Sequence, residues 1–345
     1  MNYGPSPNSP FSWDADFSNI LFTTTAETYQ HILDCSCIFH VTTFALGILL
    51  SVLLFYLILK KTGKMLKNYR MMLIYNCFVD TQFCLSAYAC QFSIKTIDNL
   101  IIASLEGPGK YLNFDWQVVV NASFAFSLSV VVTSLPANYY YRYSCIKHNR
   151  PLTGSRLFLL YSGAYIAAMP VTFGSGISFH EDGKSRPGFN FGMLWYEVKP
   201  VPSLMIIDFR RPITKSFIIY TFLCFGLSYF LSVFFAIKTM TIIRSQQSRY
   251  SSKAVQLQKQ LSTAMFLQAA LPMFISVGPS TVTIIQMVFD LDWDILTLVM
   301  FNLYALIPVL NSLSTIMVIR PFREEIIGKI LRKNTTFSMT GSNTM

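Results

Sequence analysis

Apolar residues gather into seven long runs separated by polar or charged stretches: approximately Cys37 to Leu59, Met71 to Ile94, Gln117 to Tyr139, Leu157 to Phe173, Ser216 to Ile237, Leu261 to Phe289 and Ile295 to Ile319. At 1.5 Å rise per residue, about 20 helical residues cross a hydrocarbon core of roughly 30 Å. The pattern predicts an all-α membrane protein, a bundle of seven transmembrane helices. The fourth run is the shortest and holds Pro170.

Composition agrees with this reading. Of the 345 residues, 52% are hydrophobic and 13% charged, about half the charge of a soluble domain. One membrane domain fits better than two soluble ones. The first 36 residues hold no Lys or Arg, so they lack the basic start of a secretory signal peptide, and the first helix serves as the insertion signal.

Charge sets the orientation. Lys and Arg collect on the cytosolic side of membrane proteins, and 19 of the 27 basic residues fall in one set of loops and the C-terminal tail, whereas 14 of the 17 acids lie opposite. The N-terminus is therefore outside. The domain plan is an extracellular segment at 1–36, a membrane domain at 37–319 and a cytosolic tail at 320–345. The net charge of +10 reflects attraction to anionic inner-leaflet lipid rather than nucleic acid. After the last run, Phe322, Ile326, Ile327 and Ile330 share a face opposite charges, the pattern of a short helix on the membrane surface.

Polar residues inside the runs are the candidate chemistry. Asp80 is the only formal charge there, and burying it in a membrane costs at least about 2.5 to 3.5 kcal/mol. It lies ten residues from Arg70, about 15 Å deep, and Asn311 lies nine from Arg320, about 13 Å deep. The two can meet at one level, with Asn76 on the face of Asp80. Such a cluster could hold a cation or switch during activation; the alternative is a static hydrogen-bonded core. Nearer the outer surface, Tyr88, Gln91, Gln117, Asn121 and Gln286 could line a mostly apolar pocket for a small organic ligand, or simply anchor helix ends at the interface. Pro272 and Pro279 mark weak points in the sixth helix. At the inner end of the third, Tyr139, Tyr140, Tyr141, Arg142 and Tyr143 suit either an interfacial belt with a snorkelling Arg or a contact with a cytosolic partner.

Cys35, Cys37 and Cys90 fall near the oxidising outer side, where Cys90 could bridge to either of the others. Cys145 lies where palmitate could be attached. The sequon at Asn121 opens a helix and that at Asn334 is cytosolic, so neither is expected to carry sugar.

The segments YYYRY at the end of helix three, QLQKQLSTAMFLQAALP running into helix six, LSTIMVIRPFRE ending helix seven and KKTGKMLKNY after helix one together resemble the nematode serpentine chemoreceptors of the str, srh, sri and srd classes. The resemblance covers about Leu59 to Arg332. It implies a G protein-coupled chemosensory receptor in the plasma membrane or cilium of a sensory neuron. The implied partners are a small-molecule ligand, a heterotrimeric G protein and the bilayer, with no cofactor. It also implies that Tyr141, Arg142 and Tyr143 lie at the G-protein face. The wider rhodopsin-like pattern is only partly present. Tyr141 stands in place of the acid of Asp-Arg-Tyr, Pro308, Val309, Leu310 and Asn311 in place of Asn-Pro-x-x-Tyr, and the usual outer disulfide has no cysteines to form it.

A seven-helix transporter or channel is the runner-up reading, but no internal repeat and no second intramembrane charge supports it. An intramembrane enzyme would need a nucleophile, metal cluster or acid/base pair, and His31, His40, His148 and His180 are scattered over both sides without ligand spacing.

Overall fold

A computed structural model describes residues 26–61, 67–97, 100–148, 150–152, 154–182, 203–245, 252–289 and 293–326. Most of the N-terminal segment, Ile327, Ile330 and the Asn334 sequon lie outside these residues. Seven helical crossings are present: α1 (Ala26–Lys61), α2 (Arg70–Cys90), α3 (Phe114–His148), α4 (Ser155–Ser178), α5 (Pro212–Ser245), α6 (Ser252–Phe289), and a seventh in two pieces, α7 (Asp294–Asn302) and α8 (Ile307–Val318).

Several crossings depart from expectation. α4 runs 24 residues through Pro170, long enough at about 36 Å to span, because the backbone bond lost at a proline leaves the rest of the helix intact. α2 stops at Cys90 rather than Ile94. Among the described residues, five crossings are long and apolar enough to span on their own terms; α2 is not among them. α2 carries Asn76 and Asp80, and a helix surrounded by others tolerates inward polar groups that lipid would not. The seventh crossing breaks at Leu303–Leu306, a 3₁₀ turn. There Pro308 cannot donate to the carbonyl of Tyr304.

α3 is the central post, packed along α2, α4 and α5. The face of α5 that is buried carries Ser228, Ser232 and Thr239, small residues that let helices approach closely where no hydrophobic force drives them together. Its opposite face, Leu223, Leu227, Phe230, Phe234 and Ile237, is exposed at helical spacing, as a surface solvated by acyl chains requires.

Outside the bundle, β1 (Phe92–Ile97), β2 (Leu100–Leu105), β3 (Glu181–Asp182) and β4 (Met205–Asp208) form an antiparallel sheet of order β1-β2-β4-β3. β2 pairs with β4 from Leu100↔Asp208 to Ala103↔Met205. Backbone hydrogen bonds thus join the first and second outer loops, where rhodopsin-like chains use a disulfide. Cys35, Cys37 and Cys90 are all unpaired, the first two exposed and Cys90 buried. The bridge considered from sequence is therefore not formed.

Gln91 ends α2 in the left-handed conformation, φ 41°, with its N–H bonded to Ala87 O. The chain then returns over the helix end. A Cβ on Gly107 would sit 2.5 Å from Tyr88 O and 2.6 Å from Ala89 O, so only glycine permits this approach.

Two apolar cores result among the described residues. The outer one joins Phe83, Phe92, Ile94, Phe124, Met205, Ile207 and Tyr304, and the inner one joins Leu54, Leu57, Tyr69, Met72, Tyr141, Ile316 and Phe322. Residues 320–326 are helical. Phe322, expected on lipid, is instead fully buried in the inner core.

Candidate functional site

The inner end of α3 turns inward. Arg142 is 2% exposed, so the snorkelling arrangement open from sequence is not adopted. Its Nη2 donates to Gln258 O at 2.8 Å and to Ser262 Oγ at 2.6 Å, both on α6. Gln258 Nε2 donates onward to Tyr69 OH at 3.0 Å. Tyr141, also buried, donates to Asn68 O at 2.6 Å. Neighbours on α3 therefore point two ways, one to the first inner loop and one to α6, and Gln258 closes the ring. Among the described residues no carboxylate reaches the guanidinium, and its Nε has no partner. Gln260 Oε1 accepts from the N–H of Arg320, 3.2 Å away, tying α6 to the end of the seventh crossing. Tyr143 packs 5.9 Å from Phe235, with Lys147 over its ring. Cys145 is buried beside Tyr141, not presented to the lipid as palmitoylation requires.

At mid-membrane, Asn76, Asp80, Asn138, Gln268 and Asn311 line a cavity of about 20 Å³ with Val79, Val131, Ser134 and Leu135, room for a water molecule. Asn311 Nδ2 donates to Asp80 Oδ1 at 2.8 Å. Asn138 Nδ2 donates to Asn76 Oδ1 at 2.8 Å, and Tyr161 OH to Asn138 Oδ1 at 3.1 Å. Gln268 Nε2 donates to Thr315 Oγ1 at 2.8 Å, which donates to Asn311 O. Asp80, Asn76 and Asn311 thus share one cavity, and the connected set reaches α2, α3, α4, α6 and α8.

The five outer candidates are more dispersed. Tyr88 stacks on Phe44 of α1, centroids 4.3 Å apart. Gln117 donates to Lys110 O and Leu112 O at 3.1 and 2.9 Å, fastening the loop before α3. Gln286 accepts from Thr297 Oγ1 at 2.7 Å, tying α6 to α7. Asn121 Nδ2 and Gln91 Oε1 are buried without a partner. These two have hydrogen-bonding capacity to spare; Gln117 and Gln286 hold structure.

A family profile described as serpentine type 7TM GPCR chemoreceptor Srd matches residues 36–328. The chain belongs to this family. Among Srd-like relatives, serpentine receptor class delta-2 of Caenorhabditis elegans is 24% identical over 297 residues, which span 84% of this chain and 81% of the relative. The crystal structure of squid rhodopsin superposes with a TM-score of 0.56 at 13% identity, covering 100% of this chain and 99% of that one, a likeness of fold. This Srd chain is thus a multi-pass G protein-coupled receptor of the chemoreceptor kind, a family that is not an enzyme class.

Sequence reasoning missed Gln258, Gln260, Ser262, Tyr69 and Asn138. The signal was present: Gln258 and Ser262 sit at i and i+4 in QLQKQLS, on one face of a helix, and Asn138 lies one turn before Arg142.

Proposed function

We propose that this receptor binds a small chemosensory molecule in the outer half of the bundle and passes the event to a heterotrimeric G protein through movement of α6 away from α3. The observation that carries this reading is Arg142, buried and held by Gln258 and Ser262 of α6. In this reading Tyr141, Arg142 and Tyr143 form the G-protein face, and the Asn76, Asp80 and Asn311 cluster relays between the halves, with a bound cation as a further role of the same carboxylate. The receptor acts in the plasma membrane of a sensory neuron, in its cilium.

Magnitudes support a switch. Two hydrogen bonds from a charged group are worth about 1.5 to 3 kcal/mol each. A ligand needs about 5.5 kcal/mol of differential affinity to move a two-state equilibrium from 1:99 to 99:1. The latch is on the scale that ligand binding can overcome. The test is G-protein activation in cells expressing the chain, across a volatile and soluble compound panel. Arg142→Ala at normal surface level should abolish ligand-dependent signal; an unchanged response would remove Arg142 from the coupling face.

A further inference from the structure

The four-stranded sheet lies across the outer mouth of the bundle. β1 packs against α6 and α7, and β4 against α4. Its inner face is apolar: Phe92, Ile94, Ile101, Ala103, Met205 and Ile207 belong to the outer core. The alternate residues of the other face are also buried, including Ser93, Lys95, Ile102 and Ile206, none more than 2% exposed. Strands of this kind present no water-lined passage.

Beneath the sheet lies a ring cluster. Phe124 sits 5.7 Å from Phe83, 5.3 Å from Phe92 and 6.0 Å from Tyr304. No member of this core carries a formal charge; by strand alternation Lys95 is on the far face. A charged ligand would be stripped of water there without a counter-ion, which strongly disfavours it. One turn along α3, Asn121 is 1% exposed, and its Nδ2 lacks an acceptor. Around the ring of helices the seam between α5 and α6 is the least closely packed among the described residues, whereas α5 lies tightly along α3 and α4.

We propose that the ligand of the outer site is an uncharged, lipid-soluble small molecule carrying a hydrogen-bond acceptor for Asn121, and that it enters from the bilayer rather than from water. This rests on the reading above of the outer half as the ligand site. Its test measures access alone, so the absence of a G-protein signal would count against that reading and not against this one.

The full-length receptor in liposomes, as Phe124→Cys and separately as Val118→Cys, is treated with a trimethylammonium thiosulfonate or with a neutral benzyl thiosulfonate. Peptide mass mapping then follows each cysteine. The exposed native Cys37 reports that the charged reagent reached the outer face. The neutral reagent is expected to modify the introduced cysteine more than about tenfold faster than the charged one, while both modify Cys37. Comparable rates would mean an open aqueous mouth and overturn the proposal. Failure of the neutral reagent in both variants would overturn it equally, since no route from the lipid would exist.

Discussion

The outer and inner halves of the bundle are held by different physics. The outer half is closed by packed aromatic rings and by backbone pairing between loops, interactions that are numerous or built into the main chain. The inner half depends on a few directional side-chain bonds: Arg142 to Gln258 and Ser262, Gln258 to Tyr69, Tyr141 to Asn68. Packed cores resist continuous deformation, whereas individual hydrogen bonds exchange partners at about 0.5 to 1.5 kcal/mol net, or about 1.5 to 3 where one group is charged. The function proposed above, recognition in one half and movement in the other, would use this division.

The sharpest way to break the contrast is at the ring cluster. Phe124→Ala removes the ring that joins Phe83, Phe92 and Tyr304 and should cost about 3 to 5 kcal/mol, read as a large fall in the melting temperature of purified receptor. Gly107→Ala drives a methyl onto the carbonyls at the end of α2 and should cost about 1 to 3 kcal/mol, with loss of thermal stability and of surface expression. In the inner half, Gln258→Ala removes an amide that bridges Arg142 and Tyr69. It should cost only about 1 kcal/mol yet raise ligand-independent G-protein signalling several-fold, roughly fivefold for that energy. A quiet Gln258→Ala receptor would mean that the latch does not set the resting state.

The smallest effect concerns pH. Glu106, in the outer loop after β2, is pushed above the ordinary glutamate range by burial, opposed by the Ser104 hydroxyl at 2.6 Å and by nearby Lys110. A carboxyl raised in the folded state contributes stability below its unfolded pKa and loses it as pH rises through the folded value. Mild acidification from neutral should therefore raise the melting temperature slightly in wild type and less in Glu106→Gln. Equal slopes in the two proteins would refute the assignment.

Seven runs of apolar residues and the asymmetry of Lys and Arg made the helices legible, because lipid imposes length and charge rules on every crossing. The sheet was not legible. Its inner residues alternate over too few positions, and Phe92 to Ile94 read as the end of an apolar run continuous with α2, although Gln91 breaks the helix. Asp80 and Asn311 were placed at one depth by counting from their flanking arginines. The inward turn of Arg142 escaped because Arg at a helix end satisfies both an interfacial and a buried role. Only Gln258 and Ser262, more than a hundred residues away, decide between them.

The latch around Arg142 contains one cation and no anion. Its acceptors are a carbonyl, an amide oxygen, a hydroxyl and the thioether sulfur of Met265, none of which changes protonation in the physiological range. Dissolved ions weaken attraction between opposite charges, but there is no such pair here to weaken. The resting state of this receptor should therefore hold steady while the acidity and ionic strength of the surrounding cytosol change.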